Sequence, residues 1–168
     1  PWAIRQFLES LGDVRFIQSL KSFVASPHFN GTGIYGDRYD FEALMVTFLT
    51  LALQKSAVPV VSEETRLIVG RPVAFAGHTP DDALAMARYR EAFKRAGFHD
   101  IQFVLEPVAA AFSFAQTLTQ DATILVTDLG GGTTDFSLMR FRFGANGLTA
   151  EPLSRSGVGV AGDSFDYR

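Results

Sequence analysis

Asp128-Leu129-Gly130-Gly131-Gly132-Thr133-Thr134-Asp135 decides how the rest of this chain is read. The octapeptide lies between two apolar stretches of strand character, Thr123 to Thr127, which reads as a buried strand, and Thr134 to Phe141. Three consecutive glycines remove every side chain, so a ligand can approach the main chain closely. Their N–H groups can then converge on an anion such as phosphate, and Thr133 and Thr134 add hydroxyl donors. Asp128 and Asp135 flank the loop. Two carboxylates beside a phosphate call for a cation between them, and magnesium, held directly or through water, suits that role. The plain alternative is a tight hairpin with glycines at its turn, but such a turn needs no carboxylate at each end. The Lys-Ser/Thr pair of a Walker loop is missing, and so is the dinucleotide Gly-x-Gly-x-x-Gly pattern.

Working upstream, Ile101 to Leu105 reads as a strand, and Pro107 opens a small-residue helix over Val108 to Leu118. Thr79, Pro80 and Asp82 give the start of another helix, with Gly97 as its left-handed stop. Arg66 to Val69 reads as a short buried strand. Asp40 caps a helix whose apolar face runs through Phe41, Leu44, Met45, Phe48, Leu49 and Ala52, a core face rather than a partner groove. Ser26 to Gly36, with Pro27, Asn30 and three glycines, reads as a loop. Val14 to Ile17 reads as a strand, and Ala3 to Leu11 as a short helix ending at Gly12. Downstream, Gly144-Ala145-Asn146-Gly147 is a hairpin turn, Leu148 to Ser154 its return strand, and Gly157 to Gly162 a glycine-rich tail. This order is that of a mixed α/β protein. A boundary between two lobes falls at Thr119-Gln120-Asp121, giving 1–118 and 119–168.

Bulk properties agree with a globular chain. Of 168 residues, 47% are hydrophobic and 20% charged, which suffices for a buried core. The net charge of −3, without a basic run, argues against nonspecific nucleic-acid binding. There is no cysteine, which removes disulfides and Cys-based zinc sites and fits a cytoplasmic protein. No apolar run reaches the 18 or so residues of a membrane span. His28, His78 and His99 lack metal-ligand spacing. The opening Pro1-Trp2 has no charged-then-apolar leader, and both ends read as cut.

The octapeptide resembles the second phosphate loop of the actin-like ATPases, in the form found in the DnaK-type 70-kilodalton heat-shock chaperones. Glu106-Pro107-Val108-Ala109-Ala110-Ala111 resembles that family's Glu-Pro-Thr-Ala-Ala-Ala segment. Arg88 to Gly97 resembles the helix before it, and Ala161-Gly162-Asp163-Ser164-Phe165-Asp166 the family's Gly-Gly-Glu-Asp-Phe-Asp. Ser19-Leu20-Lys21-Ser22-Phe23 resembles the segment carrying the family's phosphate-contacting lysine. Lys-Ser-Phe and Ile68-Val69-Gly70-Arg71-Pro72 look closest to the divergent YegD-like branch.

The resemblance implies a ribonuclease-H-like, actin-like ATPase fold, incomplete and spanning parts of two lobes. It implies ATP or ADP with magnesium as ligands, and a client polypeptide or co-chaperone as partner of the whole protein. Carried over by position, Gly130, Gly131, Gly132, Thr133 and Thr134 would hold the phosphates. Asp128 and Asp135 would order magnesium and its waters, Glu106 would orient the attacking water, and Lys21 would neutralise charge on the γ-phosphate. By residue type alone, apart from the resemblance, Asp163 and Asp166 read as caps of a following helix. Three departures stand out: Val108 replaces a threonine, Ala161 replaces a glycine, and nothing in residues 1 to 20 resembles the first phosphate loop. A small-molecule kinase of the same superfamily and a non-hydrolysing scaffold are the alternatives. With the first strands missing, an open sheet edge or apolar face is expected to drive self-association.

Overall fold

The computed structural model describes residues 5, 8–10, 14–17, 19–56, 64–144 and 147–162. A 3-10 turn, Leu20–Phe23, precedes a small hairpin of β1, Thr32–Ile34, and β2, Asp37–Tyr39. Helix α1, Phe41–Gln54, follows. Strand β3, Arg66–Arg71, runs parallel to β4, Asp100–Leu105, with helix α2, Asp82–Arg95, as the crossover that a parallel pair requires. Helix α3, Glu106–Ala115, leads to an antiparallel sheet of β5, Ala122–Leu129, β6, Thr134–Gly144, and β7, Gly147–Val158, in that order.

Two cores form. In the first, Val24, Phe41, Tyr89, Phe93 and Phe98 pack between α1, α2 and the parallel pair. In the second, α3 lays Ala111 and Ala115 against Met139 and Phe141 of β6. Alanine at those positions lets the helix approach the sheet closely, while its first residues touch β3 and β4. Helix α3 thus joins the two sheets.

Several expectations are corrected. Ser26 to Gly36 is not all loop: β1 lies inside it, and Tyr35 (φ 50°) and Gly36 (φ 95°) form the two-residue turn of a hairpin. The usual Asn or Asp at the first turn position is a tyrosine here, which hid the signal. Val14 forms an isolated bridge and residues 15–17 no strand. Helix α2 starts later than Thr79, because the Asp81 carboxylate accepts from Leu84 N–H at 2.9 Å and takes the cap. Helix α3 begins at Glu106 itself and ends at Ala115, where Thr117 and Leu118 turn back onto Phe114 and Ala115. Strands β3 and β5 are not fully buried, since Ile68 and Leu125 stand about two-thirds exposed. Helix α1 buries Phe41, Leu44 and Met45, but Phe48 and Leu51 are exposed.

The Asp40 cap on α1 is present, accepting from Ala43 N–H at 2.7 Å, and Gly97 has φ 94° after α2. Gly144 pairs with Gly147 across the expected turn, whose tip at 145–146 lies outside the described residues. The start of the chain to Leu11, apart from isolated positions, and Asp163 and Asp166 also lie outside them. Strand β7 runs further than Ser154, with Leu153 as an extra residue opposite Leu138 and Met139. Pro152 beside it has no N–H for the ladder.

Candidate functional site

Strands β3 and β4 both end, at Arg71 and Leu105, on the side where the β5–β6 hairpin presents its loop. Ligands of α/β sheets bind at such carboxyl ends. A cleft of about 630 Å³ opens there. Lys21, Ser22, Glu106, Asp128 and residues 130–133 form its polar wall, and Met45, Phe48, Phe75 and Tyr89 its apolar wall. The structure therefore brings together seven of the residues singled out from sequence, from three separate stretches of chain: Lys21, Glu106, Asp128, Gly130, Gly131, Gly132 and Thr133.

Glu106 is the first residue of α3, where a carboxylate suits the helix dipole. Its Oε1 accepts from Lys21 Nζ at 2.6 Å. Sequence gives no sign of this pairing, since 85 residues separate the two. Gly70 on β3 makes room for it, because a Cβ there would come within 2.9 Å of Glu106 Cγ.

The glycine loop closes with Gly130 N–H donating to Thr133 C=O at 3.0 Å. None of Gly130, Gly131 and Gly132 has a positive φ, so these glycines serve close approach rather than backbone strain. A Cβ on Gly132 would meet Ser22 Oγ at 3.4 Å, and one on Gly130 would meet Thr133 O at 3.2 Å. Among the described residues, the N–H groups of Gly131, Gly132 and Thr133 have no protein acceptor. Gly162 N–H donates to Gly130 C=O at 3.1 Å, which ties the end of the described chain to the loop.

Asp128 and Asp135 are direct partners across the hairpin and share the face that α3 covers. Their environments differ. Asp128 is half-buried at the cleft wall, and its carboxylate has no hydrogen-bond or ion-pair partner among the described residues. Asp135 is buried beneath the loop. Its Oδ1 accepts from the N–H groups of Val73 at 3.0 Å and Ala74 at 3.3 Å, and its Oδ2 from the Thr133 hydroxyl at 3.1 Å. Gly157 of β7 packs on the same carboxylate so tightly that any Cβ would run into Oδ1. Thr134 turns away, its hydroxyl donating to Val160 C=O at 2.9 Å. Asp128 is thus the carboxylate available to a cation, and one or two carboxylates with phosphate oxygens suffice for magnesium.

Sequence reasoning missed three contributors. The 72–76 turn supplies the N–H groups on Asp135, Gly157 packs against them, and Tyr89 stands in the apolar wall. Burial raises the Tyr89 phenol to about 12, with the Glu106 carboxylate adding to the shift. Gly157 and Tyr89 lie in stretches with a visible signal, but neither the glycine-rich tail nor the helix shows which group each of them faces.

Comparison with known proteins agrees with this architecture. A family profile described as Hsp70 protein matches residues 82–168, more than half of the chain. A chaperone protein dnaK of Cyanophora paradoxa is 31% identical over 142 residues, covering 82% of this chain and 22% of that protein. Chaperone protein HscA of Proteus mirabilis is 40% identical over 78 residues, 46% of this chain and 12% of that protein. The chain spans about a fifth or less of the length of these relatives. Among solved structures, MreB 5 of Spiroplasma citri bound to AMPPNP superposes with a TM-score of 0.61 at 18% identity, covering 99% of this chain and 41% of that one. The mixed α/β actin-like ATPase fold expected from the sequence is therefore the observed one. On the breadth of the profile match, this chain belongs to the Hsp70 family.

Proposed function

We propose that this chain is part of the nucleotide-binding domain of an Hsp70-type chaperone and contributes one wall of its ATP phosphate site. The observation that carries this is the cleft, where the Lys21–Glu106 pair and Asp128 face a glycine loop with unused N–H groups. The N–H groups of Gly131, Gly132 and Thr133 would bind phosphate oxygens, as preorganised donors do where charge develops. Lys21 Nζ would carry its positive charge to the terminal phosphate. Glu106 would accept a hydrogen bond from the attacking water. Magnesium, when bound, would neutralise phosphate charge, held by Asp128 directly or through water, with Asp135 acting from beneath. The apolar wall of Phe75 and Tyr89 would limit competing water.

The division into 1–118 and 119–168 and the YegD-like affiliation belong to the same reading. So do a client polypeptide or co-chaperone as partner and a cytoplasmic setting. No helix among the described residues is long and apolar enough to cross a membrane. The isolated stretch should self-associate, because Leu125 and Leu129 leave one face of β5 apolar and exposed. Light scattering on it, with Leu125→Lys as the dispersing variant, checks this; a monomer at all concentrations refutes it.

ATP turnover by the full-length protein tests the main proposal, with Asp128→Asn and Glu106→Gln as variants. Turnover indifferent to both substitutions would sink the site assignment.

A further inference from the structure

Arg88 of α2 lies outside the cleft lining, yet its guanidinium makes four hydrogen bonds to the main chain of one segment. Its Nη1 donates to the carbonyls of Phe23 at 3.0 Å, Val24 at 2.9 Å and Ser26 at 3.0 Å, and its Nη2 to Phe29 C=O at 2.7 Å. A neighbouring carbonyl, that of Ala25, accepts from Asp81 N–H at the start of the same helix, at 2.9 Å. These carbonyls run from Phe23, the last residue of the 3-10 turn that carries Lys21, through the six residues after it.

That turn has little regular structure of its own. Ser19 enters it in the left-handed region, at φ 52°. Beyond it the chain runs through turns and irregular stretches to Ile34 with no helix and only the three residues of β1. Val24 and Ala25 are buried in the first core, which fixes the segment's depth. The fan of carbonyls fixes its rotation, and a planar fork of five N–H donors matches such a fan where a lysine ammonium does not. On its other side the turn meets the site twice, through Lys21 Nζ on Glu106 and through Ser22 Oγ near Gly132.

We propose that Arg88 is a positioning residue for Lys21: by gripping the carbonyls of residues 23–29 it sets where the Lys21 ammonium meets Glu106 and the glycine loop. This rests on the proposed function only in what Lys21 then does. The grip itself is a property of the fold.

The test uses the full-length protein with Arg88→Lys, Arg88→Gln, Lys21→Met and the pair Arg88→Lys/Lys21→Met. Carbodiimide coupling followed by mass spectrometry reads the yield of the Lys21–Glu106 amide without nucleotide. Misplacement of the turn should lower that yield about fivefold or more in both Arg88 variants and slow turnover about tenfold or more, with KM for ATP within about threefold. In the Lys21→Met background, Arg88→Lys should change turnover by less than about twofold, since its effect passes through the missing lysine. An unchanged coupling yield in folded variants overturns the proposal, and so does an equal loss of turnover with or without Lys21. Loss of the folded state in both single Arg88 variants also overturns it, by assigning Arg88 to stability alone. Absent wild-type turnover with a lowered coupling yield would end the proposed function and leave the positioning role standing.

Discussion

Lys21 Nζ lies 2.6 Å from Glu106 Oε1, and the lysine side chain is 61% exposed while the glutamate is 24% exposed. So wet a pair contributes about 1 kcal/mol or less to folding. Its value lies in where it sits, at the mouth of the glycine loop. The charge-swapped protein, Lys21→Glu with Glu106→Lys, should therefore fold within about 1 kcal/mol of wild type by urea titration. In the roles proposed for Glu106 and Lys21, its ATP turnover should still fall about a hundredfold or more, because a general-base or phosphate-neutralising group in the wrong place loses that much. Turnover restored by the swap would show that pairing alone matters.

Asp135 gives the opposite expectation. Its carboxylate serves two backbone N–H groups and one hydroxyl in a buried setting. Removing it strands at least two donors, each costing about 1–3 kcal/mol. Asp135→Ala should lower stability by about 3 kcal/mol or more, and Asp135→Asn by about 1 kcal/mol, since the amide oxygen still accepts from Val73 and Ala74. Equal losses in the two variants, measured by urea unfolding, would deny that the carboxylate latches the 72–76 turn to the hairpin.

Two glycines should separate stability from chemistry. A Cβ on Gly157 meets Asp135 Oδ1 and lies 3.0 Å from Ala74 N, and neither group can retreat. Gly157→Ala should cost about 1–3 kcal/mol, the usual range for overpacking. A Cβ on Gly70 meets only the Glu106 side chain, which can rotate away. Gly70→Ala should keep stability within about 1 kcal/mol of wild type while pulling Glu106 off Lys21 and slowing turnover about tenfold. Paired melting and turnover measurements decide, and the reverse pattern would refute the assignment.

These residues also mark how far the sequence could be read. The hairpin and its loop were legible because the carboxylates, glycines and threonines that matter are contiguous from Asp128 to Asp135. Glu106 was legible because the Pro107 and alanine run around it has a distinctive composition. The partners of Asp135 were not, since Val73 and Ala74 contribute only N–H groups and lie some 60 residues away in the chain. Arg88 was hidden for the same reason: main-chain carbonyls leave no trace in residue types. The β1–β2 hairpin was missed because three-residue strands are too short to show alternation. Ile68 and Leu125 read as buried because an apolar run does not reveal that only one of its faces is covered.

Tyr89 supplies a prediction in pH. Its ring packs among Phe41, Phe75, Phe93 and Phe103, with centroids 5.9 to 6.4 Å apart across the cluster. Burial first, and the nearby Glu106 charge second, raise the phenol from 10.0 to about 12. The folded state therefore holds its proton more tightly than the unfolded one. The associated stability is fully present below pH 10 and is lost as pH rises toward 12, and by linkage it amounts to about 3 kcal/mol. Tyr89→Phe should leave stability near neutral pH within about 1 kcal/mol of wild type, since the volume changes little. It should also flatten the alkaline fall. Because the chain has four tyrosines, the difference between wild type and variant carries the information. Urea midpoints measured from pH 8 to 12 on both proteins check it, and parallel curves would remove Tyr89 as the cause.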